Sequence, residues 1–293
     1  MYFSLFRYPL TLEEICNFHP KKDAREIESE IKDLLGRNII IKKGDYYFAG
    51  CGPECIERRQ KGNLMAADAM HIAAKRARLI AKFPFVEGVG VSGSLSKGYF
   101  DRDSDIDFFV VTTPGKVWVS RTLLMLYKKI FLLNSRRYFC INYFISSAHL
   151  EVQEKNRFTA TEIRTLIPFQ GRRALEAFYE HNIWVKGIFA NFAPDLHAIP
   201  DIQKPMISKA AEYALDNRMG KGLDSAFRNL TLKFWRIKFR RMPDPEFKIA
   251  LKSTESVSKH HPLNFQKRVI VALNEKYETY NKDHNIELTR EYV

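Results

Sequence analysis

The stretch VSGSLSKGYFDRDSDIDFFVV, from Val91 to Val111, decides how this sequence is read. Gly93-Ser94 closes a short apolar run that starts at Val86, and ten residues later Asp105-Ile106-Asp107 opens a second apolar run. Runs of this length, rich in Val and Phe and separated by Gly, Ser and Asp, read as two buried strands joined by a polar loop. The flanks fit that reading. Upstream, the Ala-rich segment from about Glu54 to Lys82 predicts a long helix that Pro84 terminates. Downstream, Gly115 to Leu133 predicts a helix and Tyr138 to Ser146 a third strand. Strand–helix–strand alternation places the segment in an α/β layer.

The chemistry follows from which side chains such strands bring together. Alternate residues of a strand face the same side, so Asp105 and Asp107 project together while Ile106 enters the core. Two carboxylates at close range suit hard divalent cations, which neutralise polyphosphate charge in phosphoryl and nucleotidyl transfer. Gly93 has no Cβ and lets backbone approach a phosphate, and Ser94 adds a hydroxyl donor. A helix starting just after Ser94 would add free N–H groups and a favourable dipole. A calcium loop has competing spacing at Asp101, Asp103 and Asp105, but it requires Gly where Ile106 stands and Glu where Thr112 stands.

An apolar residue, Gly-Ser, a gap of ten and Asp-x-Asp heading a strand together resemble the DNA polymerase β-type nucleotidyltransferase superfamily. Ser96-Lys97-Gly98 resembles the continuation in its minimal and antibiotic-modifying members. The resemblance implies that Asp105 and Asp107 hold two magnesium ions and that Gly93 and Ser94 grip the triphosphate, with Ser92 and Lys97 as further phosphate contacts. It implies transfer of a nucleoside monophosphate from ATP or another nucleoside triphosphate to an acceptor, with release of pyrophosphate. The family usually carries a third acid on a later strand. Here the polar residue in the middle of that strand is Asn142, whose amide oxygen can ligate magnesium but cannot act as a base. Asn142 is therefore the third expected site residue, with Glu151 and Glu154 as alternative acids just beyond the strand. The loss of the acid leaves a rival reading open, a weak or inactive nucleotide-binding regulator.

Residues 1–50 read as a separate unit. Thr11 and Asp23 are expected to cap two short helices, the second with Ile27, Ile31, Leu34 and Leu35 on one face. Ile39-Ile40-Ile41 and Tyr46-Tyr47-Phe48 flank a Lys-Gly turn and predict a hairpin. Helix, helix, hairpin is the order of a winged helix. The second helix carries Asp23, Glu26, Glu28, Glu30 and Asp33 against Arg25 and Lys32, which disfavours DNA binding by this module. Beyond Thr159 the pattern turns helical and basic, with helices expected over 206–242 and 262–282. His260-His261, before Pro262, is expected in a surface turn. The basic aromatic run Leu232 to Arg241 is expected to be an amphipathic packing helix.

Composition bounds the rest. The chain has 293 residues, 45% hydrophobic, with 47 Lys and Arg against 34 Asp and Glu, a net charge of +13. That excess favours anionic partners or serves solubility. Cys16, Cys51, Cys55 and Cys140 are too few for a disulfide scaffold, and Cys51 and Cys55 are expected as reduced thiols. No stretch is apolar enough to span a membrane and the N-terminus lacks a signal-peptide layout, so a cytoplasmic protein is expected. The expected architecture is α+β: a winged-helix-like module (1–50), a polymerase β-like nucleotidyltransferase core with its leading helix (51–158) and a basic helical C-terminal region (159–293). The acceptor, whether small molecule, protein or nucleic acid, is left open.

Overall fold

A computed structural model of the chain describes residues 1–135 and 137–292. The chain opens with a 3-10 turn, Tyr2–Phe6, followed by helices α1 (Leu12–Asn17) and α2 (Ala24–Gly36) and a hairpin of β1 (Ile41–Lys43) and β2 (Tyr46–Phe48). Thr11 caps α1 in a reciprocal box with Glu14, and Asp23 caps α2 by accepting from the Arg25 amide. The first hairpin strand lies two residues later than the isoleucine run suggested. Ile39 is instead buried, and its amide bonds the Leu34 carbonyl at the end of α2. A bridge from Leu10 to Tyr47 extends the hairpin.

Helix α3 (Glu54–Ala81) follows, then β3 (Val86–Ser92), β4 (Asp107–Thr112), α4 (Val117–Phe131) and β5 (Cys140–Ser146). The Ala-rich composition of α3 has a packing reason. Ala66, Ala69, Ala73, Ala77 and Ala81 recur every three or four residues and are all buried, so the helix lies close against the sheet. After β5 come α5 (Arg157–Thr165), β6 (Ile167–Gln170), α6 (Arg172–His181), α7 (Met206–Leu215), α8 (Arg218–Lys238), α9 (Asp244–Ala250), β7 (Val257–Lys259) and α10 (Phe265–His284).

The strands form one mixed sheet in the order β6-β3-β4-β5-β7, alongside the separate β1-β2 hairpin. Strands β4 and β5 are parallel, with α4 as their crossover, and the other pairings are antiparallel. Both edge strands come from the segment expected to be helical throughout. They are only four and three residues long, and β6 contains Pro168, which an edge strand tolerates because one side of its backbone needs no partner. The helix expected over 206–242 is three helices. Asn217 caps α8 and accepts from the Gly220 amide, and Pro243 precedes α9.

One sheet face buries Phe108, Val110, Ile141 and Phe144 against α3, α4, Trp235 of α8 and Phe247 of α9. The other buries Phe109, Val111 and Ile145 against α5 and α6. Trp235 meets Trp118 edge-on, so the run Leu232 to Arg241 does contribute to packing, while Phe234 stays exposed. Among the described residues no helix is long and apolar enough to cross a membrane.

Candidate functional site

The turn after β3 and the head of β4 meet because Ser92 pairs with Asp107 across the antiparallel ladder. Cross-strand partners share a face, so Ser92 and Asp107 point the same way. Gly93 has φ +71°, a left-handed conformation that glycine adopts freely. An added Cβ would overlap the Asp107 carboxylate and lie 3.2 Å from its Cγ. Gly93 is therefore required twice, by its backbone and by the acid beside it. The long helix imagined after Ser94 is only a three-residue 3-10 turn, Leu95–Lys97, and Ser94 makes no side-chain cap bond. It supplies little dipole. The cation Lys97 takes that place: its Nζ donates to the Gly93 carbonyl at 3.0 Å and to Glu162 Oε1 at 2.8 Å.

Asn142 donates through Nδ2 to Asp107 Oδ1 at 2.7 Å, while its Oδ1 accepts from the Cys140 thiol at 3.2 Å. The backbone reason is a register shift. Phe108 pairs with Ile141 and Phe109 with Tyr143, leaving Asn142 as the extra residue of a bulge. A regular strand would place Asn142 and Tyr143 on opposite faces; here both line the same cavity.

Two of the alternative acids separate. Glu151 is exposed and pairs with Lys155, whereas Glu154 lines the cavity and is held by Lys252 at 2.9 Å. Burial works against the Glu154 carboxylate, but the hydrogen bond and charge of Lys252 outweigh it, and its pKa falls below the usual range. The sequence reading missed Glu162 on α5. Its Oε2 accepts from the Gly93 amide at 3.4 Å, and its other oxygen holds Lys97. Burial, then the charges of Asp105 and Glu162, push the Asp107 carboxyl up to about 7. Asp105 thus lies close enough to Asp107 to be felt electrostatically, at the loop end of β4.

These residues open into a cavity of about 520 Å³. Its polar end gathers Ser92, Gly93, Ser94 and Lys97 with Arg58 and Arg59 of α3. Its walls are apolar: Phe109, Tyr143, Phe158 and Phe178, with Tyr2, Phe3 and Phe6 from the N-terminal turn. His261 also lines it, contrary to the surface position expected. Burial and then Lys259 push its ring down to about 4, so it is neutral at physiological pH. The neighbouring His260 donates its amide to the Asn142 carbonyl at 2.9 Å and stacks near Trp235. Both histidines follow β7, whose pairing with β5 no local sequence pattern reveals.

The donor set fits a hard divalent cation. Asp105 and Asp107 are oxygen ligands, crowded carboxylates raise the Asp107 pKa as uncompensated negative charge does, and Gly93 keeps the approach clear. Among the described residues no group of three or more His, Cys, Asp or Glu side chains converges into a metal cage. A cation here would complete its shell with phosphate oxygens and water.

Residues 74–168, from the second half of α3 to the start of β6, match the family model described as a nucleotidyltransferase domain. No curated protein and no solved structure matches the chain.

Proposed function

From a chain whose residues 74–168 form a nucleotidyltransferase domain of the polymerase β-type superfamily, we propose a magnesium-dependent enzyme that moves a nucleoside monophosphate from a nucleoside triphosphate to an acceptor hydroxyl, releasing pyrophosphate. The observation that carries this reading is the convergence of Gly93, Lys97 and Asp107 at one end of an enclosed cavity. Asp105 and Asp107 are the metal carboxylates, and the bound cation neutralises the charge of the phosphates.

The protein's own groups do the positioning. The Gly93 amide and the Lys97 ammonium grip phosphate oxygens, assisted by Ser92, Ser94, Arg58 and Arg59. Glu162 now occupies those two donors as an anion of the chain itself, and a triphosphate takes them over when it binds. Glu162 then joins Asp105 and Asp107 as the third carboxylate that the β5 position lacks. Asn142 fixes the Asp107 carboxylate by its hydrogen bond, a positioning role that an amide performs and that needs no base. Residues 1–50 act as a winged-helix-like module docked on α3, with Tyr2, Phe3 and Phe6 closing the cavity rather than binding DNA.

The test is pyrophosphate release from ATP, GTP, CTP and UTP with magnesium, using cell extract as the source of acceptor. One triphosphate is expected to support release, and Asp107→Asn, nearly isosteric, is expected to abolish it in a folded protein. Release unchanged in that variant, or none from any triphosphate, removes the transferase reading and leaves a nucleotide-binding regulator.

A further inference from the structure

The far end of the cavity is built to receive something other than phosphate. The residues Phe109, Tyr143 and Lys259 pair in a row across β4, β5 and β7, so all three face the cavity. Lys259 is 8% exposed and donates to Gln266 Oε1 at 2.7 Å. Gln266 is 4% and Asn264 8% exposed, and the Nε2 of one and the Nδ2 of the other have no hydrogen-bond partner among the described residues. Both line the cavity. Asn264 stands at the N-cap of α10 yet makes no cap bond, so the helix does not use its side chain. Buried donors without partners are costly, and three of them around one ammonium form a seat for an anionic oxygen group.

The seat is not simply the neutralising partner of Glu154, because Lys252 already pairs with that acid. A nucleobase fits the aromatic walls but carries no negative charge to match Lys259. A polynucleotide end requires an open groove with cations following its phosphates, whereas these walls are Phe109, Phe158, Phe178 and the N-terminal aromatics. Two strand spacings separate Phe109 from Lys259, and two residues along β4 separate Phe109 from Asp107, which puts the two ends roughly 10 Å apart.

Resting on the transferase reading above, we propose that the acceptor is a small amphiphile with a carboxylate, an apolar ring-sized body and a hydroxyl. The carboxylate binds Lys259, Asn264 and Gln266; the body lies against Phe109, Tyr143 and Phe178; the hydroxyl reaches the phosphorus beside Asp107. In the transfer the hydroxyl oxygen bonds the α-phosphorus, the bond from that phosphorus to the bridging oxygen breaks, pyrophosphate leaves and the hydroxyl proton goes to a carboxylate of the cluster.

The probes are 4-hydroxyphenylacetate, 4-hydroxycinnamate and 10-hydroxydecanoate, each beside its methyl ester, titrated calorimetrically into the full chain and assayed for pyrophosphate release with each triphosphate. At least one acid is expected to bind about tenfold or more tightly than its ester, since a charge-assisted hydrogen bond is lost on esterification. Lys259→Met is expected to erase the acid–ester difference, and Gln266→Leu to reduce it. The second variant keeps the test decisive if the first fails to fold. Acids and esters that bind alike, no binding of any acid, or displacement of the acid by the free nucleoside each overturn the proposal. Acid binding without pyrophosphate release supports the seat and counts against the transferase reading; release driven by extract while no acid binds does the reverse.

Discussion

Replacing Gly93 by Ala separates two requirements that meet at one atom. The backbone at Gly93 has φ +71°, and an alanine there costs about 1–2 kcal/mol of stability for its left-handed conformation. The new methyl also overlaps the Asp107 carboxylate and stands 3.2 Å from its Cγ and 3.3 Å from its Cβ. The listed neighbour is not the free end of a flexible chain. Asp107 heads β4 and is bonded to Asn142, so the carboxylate has to rotate out of line or the turn has to open. A displacement of about 1 Å at a reacting centre costs on the order of 100-fold in rate. Gly115 provides the control: φ is +69°, but an added Cβ meets nothing within 4 Å. Gly115→Ala is expected to lower the melting temperature with transfer intact, whereas Gly93→Ala lowers it comparably or more and reduces pyrophosphate release by about 100-fold. Measuring both variants by calorimetric melting and pyrophosphate release decides the matter. Equal release from the two refutes the argument that Gly93 exists to admit the Asp107 carboxylate.

Two other expectations follow from buried groups. Arg59 donates to both oxygens of Glu14, at 2.7 and 2.8 Å, and to the Pro9 carbonyl, and lies over the Tyr8 and Tyr46 rings, so it fastens residues 1–50 to α3. Arg59→Met is expected to cost about 2–4 kcal/mol, the range for breaking a largely buried pair, and to speed proteolysis within residues 1–50; an unchanged melting temperature and cleavage rate would show that the module docks by other contacts. His261 is held near 4 against an ordinary 6.5, so the unfolded chain takes up its proton first as pH falls. Stability contributed by the neutral ring is full above pH 6.5 and is lost progressively towards pH 4, by about 1–3 kcal/mol given that the ring borders the cavity. Denaturant unfolding of wild type and His261→Asn between pH 5 and 7 checks this, and parallel stability curves contradict it.

The elements that were legible in the sequence are those whose signal is local. Asp105-Ile106-Asp107 announces a strand head because the period of two appears in three residues, and the Gly93-Ser94 turn stands between two apolar runs. The capping of α1 by Thr11 and of α2 by Asp23 was readable for the same reason. Asn142 stood out as a polar residue in an apolar strand, but the bulge that puts it beside Asp107 depends on pairing with β4, which no local pattern encodes. Glu162 illustrates the harder case. It sits on a short amphipathic helix, on the face that also presents Thr165 to Ser96, and reaches Gly93 only once α5 has packed across the sheet. Strands β6 and β7 carry too few residues for a period to show, and their place is fixed by the longer strands they join. The cavity itself is assembled from the N-terminal turn, three strands, α5, α6 and α10, elements that lie far apart in the chain.

The measurement closest to the central claim is a crystal structure of the protein with manganese in place of magnesium and a non-hydrolysable triphosphate, read by anomalous scattering. The account predicts manganese bound by the carboxylates of Asp105 and Asp107, phosphate oxygens on the Gly93 amide and Lys97 Nζ, and Glu162 displaced from both. Manganese bound elsewhere, or a triphosphate seated away from Gly93 with the Glu162–Lys97 pair intact, would contradict it.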